Sequence, residues 1–165
     1  MESIVRKINQ NHIEKLMDLM NQGPYYQLLS MKLCGVDCGS SRVEVELKRE
    51  HLNPFGIVHG GAFSSMLDTA AYWSVYCELD EGVGLTTIDL SVNFLAMASE
   101  GLLIVEGRSI KVGRSICLAE AYLRNESGKL LAQGTSKLMV LEGKQSPDNA
   151  VLALGGNPLP PKFLE

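Results

Sequence analysis

Asn53 to Cys77 reads N-P-F-G-I-V-H-G-G-A-F-S-S-M-L-D-T-A-A-Y-W-S-V-Y-C. The stretch opens on turn chemistry, Asn53-Pro54 and then Gly56. It passes through His59-Gly60-Gly61 into a long run in which Asp68 is the only charge. Ala62, Phe63, Met66, Leu67, Ala70, Ala71, Trp73 and Val75 recur at helical spacing, with few polar residues to mark an outer face. The pattern predicts a helix buried nearly all round. A carboxylate in such a helix is costly unless it is paired, hydrogen-bonded or used. The rest of the chain has to account for Asp68.

Upstream, residues 1–21 read as an amphipathic helix carrying Ile4, Val5, Ile8, Ile13 and Leu16, ended by Gly23-Pro24. A short turn or helix covers Tyr25 to Leu29. Two strand patterns follow, Met31–Asp37 and Arg42–Lys48, joined by a turn at Gly39-Ser40-Ser41. In the second, Val43, Val45 and Leu47 alternate with charges. The buried helix is expected to end near Asp80-Glu81-Gly82, and the period then changes to two. Ile88, Leu90, Val92 and Phe94 alternate with Thr87, Asp89, Ser91 and Asn93. Further strands cover Leu102–Val112, Ser115–Arg124 and Lys129–Leu141. From Glu142 the chain turns to Gly, Pro, Asn and Ser, which predicts an extended or disordered tail. Three parts result: an N-terminal helix (1–24), a main domain (25–141) and a Pro/Gly-rich tail (142–165). Consecutive strands joined by short turns argue for an antiparallel sheet, and one apolar helix against one curled sheet is an α+β arrangement.

Composition narrows the function. The 165 residues are 45% hydrophobic and 21% charged with a net charge of −4, which fits one soluble domain and gives no reason to expect nucleic-acid binding. No run is long and apolar enough to predict a membrane span, and the N-terminus does not read as a signal peptide. The four cysteines form no C-x-x-C pair and there are only three histidines. The expectation is therefore no metal site, and plain thiols in a reducing cytoplasm.

No G-x-S-x-G elbow, phosphate-binding loop or dinucleotide fingerprint is present. A triad of His59 and Asp68 with Ser64 or Ser65 fails on distance, since nine residues of helix separate His59 from Asp68 by about 13 Å. What remains is a helix N-terminus behind two glycines. Its bare N–H groups and dipole can hold a developing oxyanion, and Asp68 can act as general base or nucleophile. Asp68 lies about 12 Å beyond Gly60 along the helix, too far to act on a carbonyl held at its own helix start. The spacing predicts a site shared across a two-fold dimer, with oxyanion donors from one chain and the carboxylate from the other.

The motif N-P-F-G-I-V-H-G-G-A-F-S-S-M-L-D-T-A strongly resembles the signature of the hotdog-fold thioesterases of the phenylacetic-acid-degradation (PaaI-like) type. Asn53, Gly56, His59, Gly60, Gly61 and Asp68 all occupy the family's places. The likeness continues through T-T-I-D-L-S-V-N-F-L, Gly113-Arg114 and S-G-K-L-L-A-Q-G-T, covering roughly residues 25 to 141. One departure is the absence of a proline after N-F-L, where this chain has Ala96-Met97-Ala98. The resemblance implies a hotdog fold, with a curled antiparallel sheet wrapped around one long helix. It implies hydrolysis of aryl or medium-chain acyl-CoA without a metal or cofactor, CoA entering only as part of the substrate. Dimers that pair into tetramers are implied as well.

By the same resemblance Asp68 is the catalytic carboxylate, a Gly60 or Gly61 N–H the oxyanion donor, and Asn53 the residue positioning water or thioester. Thr87 orients the water, and His59 holds the loop or the thioester carbonyl. Gly113, Arg114 and Lys111, with Arg108 and Lys137, are candidates for the CoA moiety. Phe63, Met66, Tyr72, Trp73, Phe94 and Met97 are candidates for the acyl pocket. Two other readings compete. A hotdog dehydratase usually adds a histidine beside the helix carboxylate, and none lies between Gly60 and Cys77. A non-catalytic acyl-CoA sensor usually carries a DNA-binding domain, for which the first 24 residues are too short.

Overall fold

The computed structural model describes residues 6–164. A two-residue strand β1 (Lys7–Ile8) precedes helices α1 (Gln10–Met20) and α2 (Pro24–Leu28). Strands β2 (Met31–Asp37) and β3 (Ser40–Glu46) form a hairpin, and a braced loop leads to the long helix α3 (Gly60–Ser74). Four strands follow: β4 (Val83–Phe94), β5 (Leu102–Val112), β6 (Ile116–Asn125) and β7 (Leu130–Glu142). The chain closes with α4 (Pro147–Leu154) and a two-residue strand β8 (Phe163–Leu164). All six long strands make one antiparallel sheet in the order β2-β3-β5-β6-β7-β4. This is the α+β hotdog arrangement, with α3 packed against the sheet.

The sheet's inner face and α3 make the core. Val43, Val45, Leu103, Val105, Leu123 and Leu138 are buried beneath Met66, Leu67, Ala70 and Ala71 of the helix. The small residues at 70 and 71 let the helix settle close, and Ser41 Oγ donates 2.6 Å to the Ala70 carbonyl. Cys77 and Cys117 are buried, and burial raises both thiols, Cys77 to about 12. Neither is poised as a nucleophile.

Strand β4 is longer than the alternation starting at Ile88 implies, and it carries a bulge. Its register against β7 slips between Thr87 and Asp89, leaving Ile88 unpaired and half exposed. One extra residue flips the side-chain parity of a strand. Leu85 and Thr87 before the bulge therefore share the helix-facing side with Leu90 and Val92 after it. Without the slip, Thr87 would point away from α3.

Both termini depart from expectation. The N-terminal helix begins only at Gln10, capped by Asn9; the expected positions Ile4 and Val5 lie outside the described residues. The tail expected to be extended or disordered is folded and docked. Ser146 caps α4, Asn9 donates its amide to the Pro161 carbonyl, and β8 pairs with β1. Lys162 is only 1% exposed. Its ammonium donates to the carbonyls of Tyr76 and Leu79 and lies 4.0 Å from the centre of the Tyr76 ring. Burial lowers it to about 8, against the raising pull of Cys77 and Glu81. His12 completes the clasp, with Nδ1 on the Pro160 carbonyl and Nε2 on the Tyr76 hydroxyl. Composition alone hid this, because the ties are single polar contacts made to distant residues.

Candidate active site

The motif residues at the start of α3 explain one another. His59 is the N-cap, and its Nδ1 accepts the Gly61 N–H at 2.8 Å. Accepting there fixes the ring as the Nε2–H tautomer. A Cβ on Gly61 would stand 2.9 Å from that nitrogen, so only glycine lets the ring fold over the helix end. The Ala62 and Phe63 N–H groups both point to the His59 carbonyl. The Gly60 N–H is left without a partner among the described residues. A Cβ on Gly60 would meet the Phe94 ring at 3.2 Å, so the glycine also seats that ring beside the helix end.

The loop before the helix is rigidly built. Asn53 Oδ1 accepts the N–H of Phe55 at 2.9 Å and of Ile57 at 3.4 Å, an Asx turn. Its carbonyl oxygen is thereby occupied by the turn, and its amide NH2 has no partner among the described residues. Buried His51 joins the Lys48 N–H to the Leu29 carbonyl. All three histidines of the chain thus carry structural hydrogen bonds. Ser64 and Ser65 donate to the Gly60 and Gly61 carbonyls of their own helix, so neither is aimed at His59.

Asp68 sits at the middle of α3 on the wall of a cavity of about 680 Å³. It is half-buried rather than enclosed. Thr87 Oγ1 donates 2.9 Å to its Oδ1, the contact that the β4 bulge makes possible. Burial raises the carboxyl above its ordinary 3.8, and the Thr87 hydrogen bond opposes that rise. The other walls come from α2, the start of β4 and the first turn of α4. Among the described residues, Asp68 is the only charged side chain lining this cavity. Burial also raises Tyr26 and takes Tyr72 to about 12, so both phenols stay neutral hydrogen-bonding groups.

The expected site residues therefore fall into three places. Asp68 and Thr87 stand together at the cavity. Asn53, His59, Gly60 and Gly61 stand at the start of α3, outside that cavity. Lys111, near the end of β5, and Gly113 and Arg114, in the β5–β6 turn, also do not line it. A Cβ on Gly113 would stand 2.5 Å from the Ile116 carbonyl, which its N–H donates to, so the tight turn itself requires this glycine. Lys137 is held by Asp89 at 2.7 Å.

Two of the six residues expected at the acyl pocket line this cavity. Tyr72 and Trp73 line the cavity, whereas Phe63 and Met66 are core, and Phe94 and Met97 are exposed away from it. Sequence reading missed Tyr25, Tyr26, Ser65 and the segment Gln145–Ala150. Tyr25 meets Ser65 Oγ at 2.7 Å, and Trp73 Nε1 donates to the Tyr26 hydroxyl at 2.7 Å. The aromatic pair behind Pro24 was a usable signal; the tail segment left none.

With this geometry in view, comparison with known proteins is decisive. The thioesterase superfamily model matches residues 55–132, from the motif loop into β7. A solved structure of a phenylacetic acid degradation-related protein from Ralstonia eutropha JMP134 is 31% identical. It covers 74% of this chain and 96% of its own, with a TM-score of 0.66. The chain belongs to the thioesterase superfamily. It is a thioester hydrolase of the hotdog fold. Acyl-coenzyme A thioesterase 13 of Mus musculus is 23% identical over 127 residues, 74% of this chain and 90% of the relative. A thioesterase from Haemophilus influenzae shares the fold with a TM-score of 0.73 at 21% identity, over 79% of this chain and 91% of that one. No helix among the described residues of this thioesterase is long and apolar enough to cross a membrane.

Proposed function

We propose that this thioesterase hydrolyses acyl-CoA thioesters with aryl or medium-chain acyl groups, using Asp68 as general base or nucleophile. One observation carries the reading: among the described residues, a carboxylate oriented by Thr87 is the only charge on the wall of a cavity otherwise lined by neutral side chains. A thioester carbonyl oxygen accepts the unpaired Gly60 N–H and gains the helix dipole as charge develops. Asp68 removes a proton from water, whose oxygen bonds to the acyl carbon. The carbon–sulfur bond then breaks and CoA leaves as the thiol with a proton. Acting instead as nucleophile, Asp68 forms a mixed anhydride that water opens. The free Asn53 amide donates to the thioester or the water.

The acyl-CoA reading draws on the mouse relative's name, and the aryl preference on the Ralstonia protein and on Tyr25, Tyr26, Tyr72 and Trp73 around the cavity. Exposed Lys111 at the end of β5 and Arg114 on the β5–β6 turn are the proposed contacts for CoA phosphates. Lys137, already paired, is a weaker one.

Because Gly60 and Asp68 lie on one straight helix, the site is proposed to form between two protomers. The free edge of β4 supports this, since β4 pairs with β7 alone. Phe94 and Leu95 at its end, Met97 (73% exposed) and Phe55 (88% exposed) form an apolar surface a second copy would cover. Pairing of such dimers into tetramers, without metal or cofactor and in the cytoplasm, completes the proposal. A thiol-release assay across acetyl-, octanoyl- and phenylacetyl-CoA tests it. Turnover in the wild type that falls by about 10²–10⁴ in Asp68→Asn supports the reading. Saturable binding without turnover would favour an acyl-CoA sensor.

A further inference from the structure

One wall of the cavity beside Asp68 is a segment outside the matched family region. Residues Gln145, Ser146, Pro147, Asn149 and Ala150 line it, whereas the family model ends at residue 132. We propose that Lys144–Ala150 is a built-in cap that sets the largest acyl group this enzyme accepts. The proposal rests on the thioesterase reading and adds the residues that fix its specificity.

One feature makes room for the cap and another tethers the chain beyond it. Gly84, at the start of β4, is crossed directly by the cap's backbone. A Cβ there would collide with the Lys144 carbonyl and the backbone of Gln145. Further on, Lys162 anchors the end of the chain beneath Tyr76, itself a cavity residue on the short turn after α3. The same turn is gripped by His12 through the Tyr76 hydroxyl. The cap thus lies directly against β4 before α4, and the chain beyond α4 is tethered under Tyr76. An acyl chain laid along α3 from Asp68 reaches the level of Tyr76 after about 12 Å, where the cap ends its path. Short and compact aromatic groups fit within that length, and long straight chains do not.

Two variants and one measurement on the wild type test the cap. Ala150→Trp fills the cavity from the cap side. It is expected to lower kcat/KM for octanoyl-CoA relative to acetyl-CoA by about tenfold or more. Gly84→Ala pushes the cap outward and is expected to raise the palmitoyl-to-octanoyl ratio. Wild-type ratios in both variants, with native circular dichroism, overturn the proposal. Hydrogen exchange on the wild type with a thioether analogue of octanoyl-CoA needs no variant. Slowed exchange at residues 145–150 supports the cap, and unchanged exchange overturns it. If the wild type hydrolyses none of these thioesters, the thioesterase reading fails, while the exchange experiment still reports on the cap.

Discussion

At the scale of single residues, the proposed catalytic role of Asp68 accounts for a carboxylate half-buried in an otherwise uncharged helix. Burial raises its pKa and Thr87 holds it partly down. If the ionised form does the chemistry, activity has an acidic limb above 3.8, lost as pH falls through the raised value. Thr87→Ala removes the opposing hydrogen bond and should move that limb to higher pH, whereas Thr87→Ser should restore it; pH profiles of kcat/KM give the answer. The stability consequence has the opposite sign from a salt-bridged carboxylate. Because the folded-state pKa is raised, the native state binds more protons between 3.8 and that value, so stability falls as pH rises through the window. Asp68→Asn, lacking the charge, should show a higher Tm than the wild type at neutral pH, with the gap closing below about pH 3.8. A Tm gap that is independent of pH contradicts this account.

At the scale of elements, the H-G-G motif is a helix start in which cap, space and donor are each assigned. His59→Ala should cost about 1 kcal/mol in urea unfolding, the usual value of an N-cap. Gly61→Ala should cost a similar amount, because the cap ring has no room beside a Cβ. Lys162→Met keeps the volume but strands the carbonyls of Tyr76 and Leu79, which should cost about 1–3 kcal/mol and speed proteolysis after Glu142. These elements were not equally legible in the sequence. The buried helix, the order of the elements along the chain and the antiparallel sheet were readable from periodicity, and the motif singled out Asp68 and Thr87, but neither the strand order in the sheet nor the hydrogen bond between those two residues was. The β4 bulge was not, because alternation from Ile88 onward looks regular and the slip shows only in the pairing. The docked tail was not, because Lys162, His12 and Gly84 are scattered and each looks ordinary alone.

At the scale of the whole molecule, one helix has two functional ends that its own geometry keeps apart. The Gly60 N–H, unpaired among the described residues, lies at its start and Asp68 at its middle, and on the proposed reading each chain contributes half of two sites. The exposed apolar edge along β4 and the Phe55 loop is where the second chain is expected. The direct test mixes two inactive variants. Asp68→Asn removes the carboxylate, and Gly60→Pro removes the donor; proline is favoured at the first helical position, and the exposed Phe94 ring must shift slightly to admit its Cβ. In a heterodimer both lesions fall in one site and the other is intact. Unfolding and refolding an equimolar mixture should therefore recover about a quarter of wild-type activity. Activity no higher than that of the separate variants would contradict a shared site and place the chemistry within a single chain.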